Sequence, residues 1–469
     1  MTPRWQSGLA SFGDFLRDHA PLLRGLQWVI VAFYLVLLIV PAVLPLPDRT
    51  ASVLNNLTVF AQFAFWGIWW PFVLLSMPLF GRAWCGWFCP EGMLSEWASE
   101  WGQSKAIPKW MRWGGWPFVA FSLTTIYGQL VSVYQYPWAV LAVLGGSTAA
   151  AMLVGWRYGR SKRVWCKYLC PVNGVFGLLA KLAPWHYQVD EEAWRHPQRR
   201  TRAINCAPLV PLRHMQGASD CHMCGRCSDY RGAIRLTLRS PESEVLRIAS
   251  GDAWQTALIV FGLMGLAVGA FLWSASPWFV QLKQAEAAWL IDHDIYWPLA
   301  QNAPWFVLTH YPEVNDSFSW LDGGVVLTFI AAAALCLGGP VLLGLWVADR
   351  CLVPASAPHV KSAGNPLQGV FSGVHKLAQG LIPAAGAGVF LGLSATTLTL
   401  LRHEGMSTAW APAARFALLG LAMLWSLRLV WRMTGLRTNA LPRRVLALLA
   451  VALGTAPFCA AWVLFFVVW

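Results

Sequence analysis

Charge is what this sequence of 469 residues has least of: Asp, Glu, Lys and Arg make up 12% of it, about half the share of an ordinary soluble domain. That scarcity excludes a water-soluble globule, and 57% hydrophobic residues with 30 Trp indicate an integral membrane protein. Acidic residues are scarcer than basic ones, 22 against 35, an excess that positive-inside bias near anionic lipid explains without nucleic acid. The long apolar runs are almost free of ionisable groups. Asp322, Arg415 and Arg428 lie near run ends, where an arginine can snorkel, so a pathway that translocates ions is disfavoured. A bis-histidine haem is disfavoured as well, because no second histidine lies at the depth of His375; His310 with the outer acidic residues is a weaker metal-site candidate. The first apolar run lacks a compact basic n-region and a small-x-small cleavage site, and is expected to stay as an anchor.

What is present in quantity is membrane-length hydrophobicity. Nine runs approach the ~20 residues a helix needs to cross a bilayer: 25–46, 57–80, 115–134, 137–156, 254–273, 321–347, 378–401, 412–431 and 445–468. The expected fold is an all-α polytopic protein of about nine transmembrane helices. Basic residues collect in alternate loops: the N-terminal arm (Arg4, Arg17, Arg24), the stretch with Arg82, Lys105, Lys109 and Arg112, and segments 157–252, 349–376 and 432–444. These are assigned to the inside. Segments 47–56, 274–319, 402–410 and the chain end are assigned outside, in a bacterial inner membrane. Segment 157–252 holds 16 Lys and Arg against 8 Asp and Glu, a surface suited to an acidic electron-transfer partner.

Eight of the eleven cysteines are patterned. Arg82-Ala-Trp-Cys85-Gly-Trp-Phe-Cys89-Pro and Arg163-Val-Trp-Cys166-Lys-Tyr-Leu-Cys170-Pro repeat one frame at a separation of 81 residues, each closing a pair of apolar runs. Two duplicated hairpins (1–170) in parallel orientation are expected, then a cysteine-rich inner segment (171–252) and a five-helix membrane half (253–469). Within each motif the cysteines stand at i and i+4, one helix face, and the proline stops the helix and lets the chain turn around a metal. Cys221-x-x-Cys224-x-x-Cys227 is a ferredoxin run without its fourth cysteine; Cys206 is the nearest replacement and Cys170 the next. Eight thiolates are the ligand set of two [4Fe-4S] clusters, and which cysteines share a cluster stays open. A zinc site with His222 or His214 is the main competitor for the last run, but the paired two-residue gaps suit a cubane better. A disulfide is disfavoured on a reducing inner face, and Cys336, Cys351 and Cys459 read as core residues. Trp84, Trp87, Trp165 and Trp185 fit an interfacial aromatic belt. Trp66, Trp69 and Trp70 lie mid-run, where they read as helix packing, with a quinol site between them and the clusters as the alternative.

The duplicated Cys-x3-Cys-Pro motif followed by a cysteine-rich segment resembles the membrane-bound 4Fe-4S polyferredoxin group that includes NapH, NosR, CcoG and the FtrD-type proteins of ferrous iron uptake operons. The likeness covers residues 24 to about 275. It implies that Cys85, Cys89, Cys166, Cys170, Cys221, Cys224 and Cys227 are iron ligands, and that the protein passes electrons between a quinol pool or cytoplasmic donors and periplasmic or metal-handling partners. This chain has one incomplete ferredoxin run where NapH and NosR have two complete ones, no flavin-binding outer domain, and a second membrane half where CcoG has an outer β-domain. That half suits the FtrD-type branch best, whose partners are an iron permease and a periplasmic cupredoxin or metal-binding protein. The expected function is relay of electrons by an electron carrier with no substrate chemistry of its own, in support of iron uptake. The alternatives are a quinol dehydrogenase or metal-reductase accessory factor, and a non-redox transporter or scaffold with structural or sensing clusters. The sequence shows no carrier for an electron crossing ~30 Å of membrane.

Overall fold

The computed structural model describes residues 3–48, 50–197, 201, 203–249, 251–352 and 366–468. Part of the basic link 349–376, including Lys361, lies outside the described residues. Among these residues eight helices are long and apolar enough to cross a membrane: Ala20–Val43, Leu57–Phe80, Pro137–Tyr158, Ala253–Ala275, Trp320–Leu352, Ser372–His403, Ala411–Gly435 and Leu441–Val467. The chain is a multi-pass, all-α membrane protein.

One of the nine expected runs forms only a short helix. Run 115–134 forms a helix only over Trp116–Leu130, 15 residues, which is about 22 Å at the α-helical rise and falls short of ~30 Å of hydrocarbon. It ends in a tight turn, where Ser132 takes φ +50° and the Val133 N–H returns to the Gly128 carbonyl at 2.9 Å.

The chain divides into two compact units that do not follow chain order. The first comprises Met1–Leu44, Phe72–Ala120 and Leu144–Ala249. It gathers most of segments 1–170 and 171–252, and with them every patterned cysteine. A strand Trp185–Val189 (β1) pairs antiparallel with Ile234–Leu238 (β2), a small sheet that the all-helical expectation did not include. The helix Pro3–Asp18 lies against it: Phe12 meets the edges of Trp87 and Trp185, and the Ser228 hydroxyl donates to Asp14 at 2.8 Å.

The second unit comprises Pro45–Pro71, Phe121–Val143 and Ser250–Trp469. Its segment 274–319 is ordered as a helix Pro277–Asp292 and a two-residue ribbon, His310–Tyr311 (β3) with Asp316–Ser317 (β4). Lys283 pairs with Asp322, and the Tyr136 hydroxyl donates to Asp316 at 2.5 Å. Leu57–Phe80 and Ala253–Ala275 each contain a π-helical stretch, Phe63–Trp69 and Leu258–Leu266. Trp66 is buried with its ring 4.6 Å from Tyr134, the packing role expected of it. His375 meets the Thr256 hydroxyl at 2.9 Å.

Candidate iron–sulfur centre

The two cysteine–proline motifs fold alike. Each starts on an arginine outside helical geometry, Arg82 or Arg163, and makes one helical turn, Ala83–Trp87 or Val164–Tyr168. Each then closes with a pair of bonds onto the tryptophan carbonyl: Phe88 and Cys89 N–H to Trp84 at 2.9 and 3.0 Å, Leu169 and Cys170 N–H to Trp165 at 2.9 and 3.0 Å. The turn is too short for the second cysteine to share a helix face with the first, so the i, i+4 argument does not hold. Cys89 instead caps the next helix, Pro90–Glu100, where its sulfur accepts the Gly92 N–H at 3.3 Å. Pro90 stops one helix and occupies the first turn of the other, the position where its missing N–H costs nothing.

The motifs interlock. The sulfurs of Cys89 and Cys166 lie 3.5 and 3.6 Å from the point a Gly92 Cβ would occupy, and the Arg163 guanidinium is 3.2 Å from it. The two sulfurs and the guanidinium thus converge on one point beside the Gly92 backbone. Arg163 also donates to the Cys85 carbonyl, and Arg82 lies beside the Cys85 and Cys170 sulfurs. Cys85, Cys89, Cys166 and Cys170 are thus within electrostatic reach of one another.

Cys221, Cys224, Cys227 and Cys206 make a second group, with Cys206, Cys221 and Cys227 packed into one apolar cluster around Tyr187, Ile234 and Leu236. Cys206 is held beside the second motif, since the Arg163 N–H donates to the Ala207 carbonyl at 2.8 Å and Lys162 to the Cys206 carbonyl at 3.1 Å. The loop before Cys224 rests on the first motif. Trp87 donates to the Met223 carbonyl at 2.8 Å, Arg82 to the Ser219 carbonyl at 3.1 Å, and a Cβ on Gly86 would sit 1.9 Å from the His222 carbonyl.

The donor set fits clusters. None of the eleven cysteines is in a disulfide. Burial holds the Cys89, Cys170 and Cys227 thiols well above the usual thiol range, pushes Cys166 and Cys221 up to about 12, and raises Cys206. Such thiols stay protonated at neutral pH and become ligands by giving up the proton to a metal. Three polar atoms around them, Arg82 Nε, Tyr187 Oη and His222 Nδ1, are buried without a hydrogen-bond partner, a state that is costly unless a ligand supplies one. No three His, Cys, Asp or Glu among the described residues converge closely enough to hold one metal ion. A single zinc needs such convergence, whereas a cubane spreads its thiolates over separate irons.

Sequence reasoning did not reach three residues here. Glu96 is buried between Arg163 Nε at 2.8 Å and Arg226 at 2.6 Å; burial pushes its carboxyl up, but the two guanidinium groups outweigh that and hold it at about 2. Glu91, half-buried and bonded to Ser147, approaches Cys170 Sγ at 4.0 Å. Gln27, on the first span, donates to the Gly86 carbonyl at 2.5 Å. A polar residue within an apolar run is the one signal that could have found Gln27.

Residues 62–107 and 137–189 match the family described as a 4Fe-4S binding domain, and both cysteine–proline motifs fall inside the matched segments. The chain, a multi-pass membrane protein, therefore contains segments similar to a 4Fe-4S binding domain and is similar to the membrane polyferredoxins. Among curated proteins it resembles YccM of Escherichia coli, whose name describes an electron transport protein, with 20% identity over 42% of this chain. It also resembles the regulatory protein NosR of Pseudomonas aeruginosa, with 27% identity over 34% of this chain. The matched regions span 62% of YccM and 25% of NosR. No solved structure matches. The second cysteine group lies outside the matched domain.

Proposed function

We propose that this protein is an electron carrier that holds two [4Fe-4S] clusters, one on Cys85, Cys89, Cys166 and Cys170 and one on Cys206, Cys221, Cys224 and Cys227. The gathering of eight free cysteines into two groups of four within one compact unit carries this reading. When bound, each cluster supplies one-electron redox chemistry. The chain supplies the burial that excludes water, the cationic Arg82 and Arg163 that offset thiolate charge, and the loop contacts that keep the two groups adjacent. The shared site also requires the chain between the motifs to return to the same face, so Trp116–Leu130 is read as the short limb of a hairpin with Pro137–Tyr158. With the basic loops assigned inside, both clusters and the N-terminus face the cytoplasm of a bacterial inner membrane, and the C-terminus faces the periplasm.

The electrons serve iron uptake through Fe(II)/Fe(III) interconversion, with an iron permease and a periplasmic cupredoxin or metal-binding protein as partners, a reading supported by the resemblance to the FtrD-type branch. A quinone, or a redox centre on a partner, completes the path across the membrane. The test is to reduce the purified protein anaerobically and mix it with ferric citrate or a water-soluble quinone. Rapid loss of the reduced-cluster EPR signal with either acceptor supports an electron carrier. A signal that persists with both, and a midpoint that no partner shifts, favours a structural or sensing role.

A further inference from the structure

The ion triad Arg163–Glu96–Arg226 has a position that an ordinary helix-bracing pair lacks. Glu96 is 2% exposed and projects from the helix that Cys89 caps. One carboxylate oxygen takes Arg163 Nε at 2.8 Å and the other takes Arg226 at 2.6 Å. Arg163 belongs to the first cysteine group: it donates to the Cys85 carbonyl, and its guanidinium is 3.2 Å from the Gly92 Cβ position that Cys89 and Cys166 also border. It also reaches Cys224 electrostatically. Arg226 stands between Cys224 and Cys227 in sequence and beside the Cys224 sulfur in space. A single carboxylate thus bridges one arginine of each group.

We propose that Glu96 is a shared positioning charge that sets the reduction potentials of both cluster sites through Arg163 and Arg226. This deepens the two-cluster reading above and rests on it. Reduction adds a negative charge to a site already rich in thiolate, so a nearby cation favours the reduced form and a nearby carboxylate opposes it. Buried charges such as Glu96 and Arg163 are screened much less than exposed ones. Glu96 moderates two arginines at once, so the two potentials share one control point.

The test is an EPR-monitored redox titration of the intact protein, with iron and sulfide counted in the same samples. Glu96→Gln, which keeps the side-chain shape and removes the charge, is expected to shift both midpoints upward. Arg226→Gln is expected to shift both downward, more for the cluster on Cys224, and Arg226→Lys to restore most of that shift. A merely structural brace would change iron content or stability and leave the midpoint of any remaining cluster in place. Full iron with unmoved midpoints in Glu96→Gln overturns the proposal. If Glu96→Gln fails to assemble, Arg226→Gln decides: no shift overturns the proposal, and a downward shift that lysine restores supports it. A wild-type protein without two clusters overturns the underlying reading too, and is seen in the iron count before any variant is made.

Discussion

Tyr187 sits where one side chain could act on the second cysteine group. Its ring is part of the apolar cluster that holds Cys206, Cys221 and Cys227, and its hydroxyl is buried without a partner beside the sulfurs of the second group. Burial and the neighbouring sulfurs hold the phenol protonated, so its O–H is available to donate to an acceptor sulfur. Hydrogen bonds to the sulfurs stabilise the reduced, more negative cluster. Tyr187→Phe keeps the ring and removes the donor. One of two midpoints is expected to fall in a redox titration while the other stays; an equal shift of both, or none, would contradict this placement. Nothing in the sequence distinguished Tyr187 from nine other tyrosines, because its role depends on β1 bringing it across to a loop some 35 residues away.

At the scale of elements, the repeated motif turn was legible, and its duplication in space follows from its duplication in sequence: identical residue types at Arg, Trp, Cys and Pro give matching bonds to within a tenth of an ångström. Two readings failed for physical reasons. A single helical turn cannot put cysteines four apart on one face when the helix ends at Trp87. Run 115–134 stays apolar through Val131 and Val133, so hydropathy passed over the turn at Ser132. The docking of the first motif on the 219–223 loop gives an element-scale prediction. Gly86→Ala places a Cβ 1.9 Å from a backbone carbonyl, a clash that rotamer changes cannot relieve. The variant is expected to lose iron from both groups by elemental analysis, and full iron with an unchanged EPR spectrum would refute the docking.

For the whole molecule, composition and hydropathy sufficed for a polytopic helical protein, and cysteine spacing sufficed for iron–sulfur chemistry. How the eight cysteines divide was not legible, because the first group draws on motifs 81 residues apart and the second on a cysteine outside its own run. Glu96 was not legible either, since one of three glutamates on a short helix reads as solvated until two arginines close over it. The division predicts that Cys89→Ala and Cys227→Ala are complementary. Each should keep roughly half the iron and remove a different one of two EPR signals; loss of the same signal in both variants would break the assignment. Iron and acid-labile sulfide per chain after anaerobic purification, with EPR of the dithionite-reduced sample, decide whether the protein holds two clusters. About eight iron and about eight sulfide, with two interacting signals, is the result expected of two cubanes; zinc in place of iron, with no sulfide, would contradict the account.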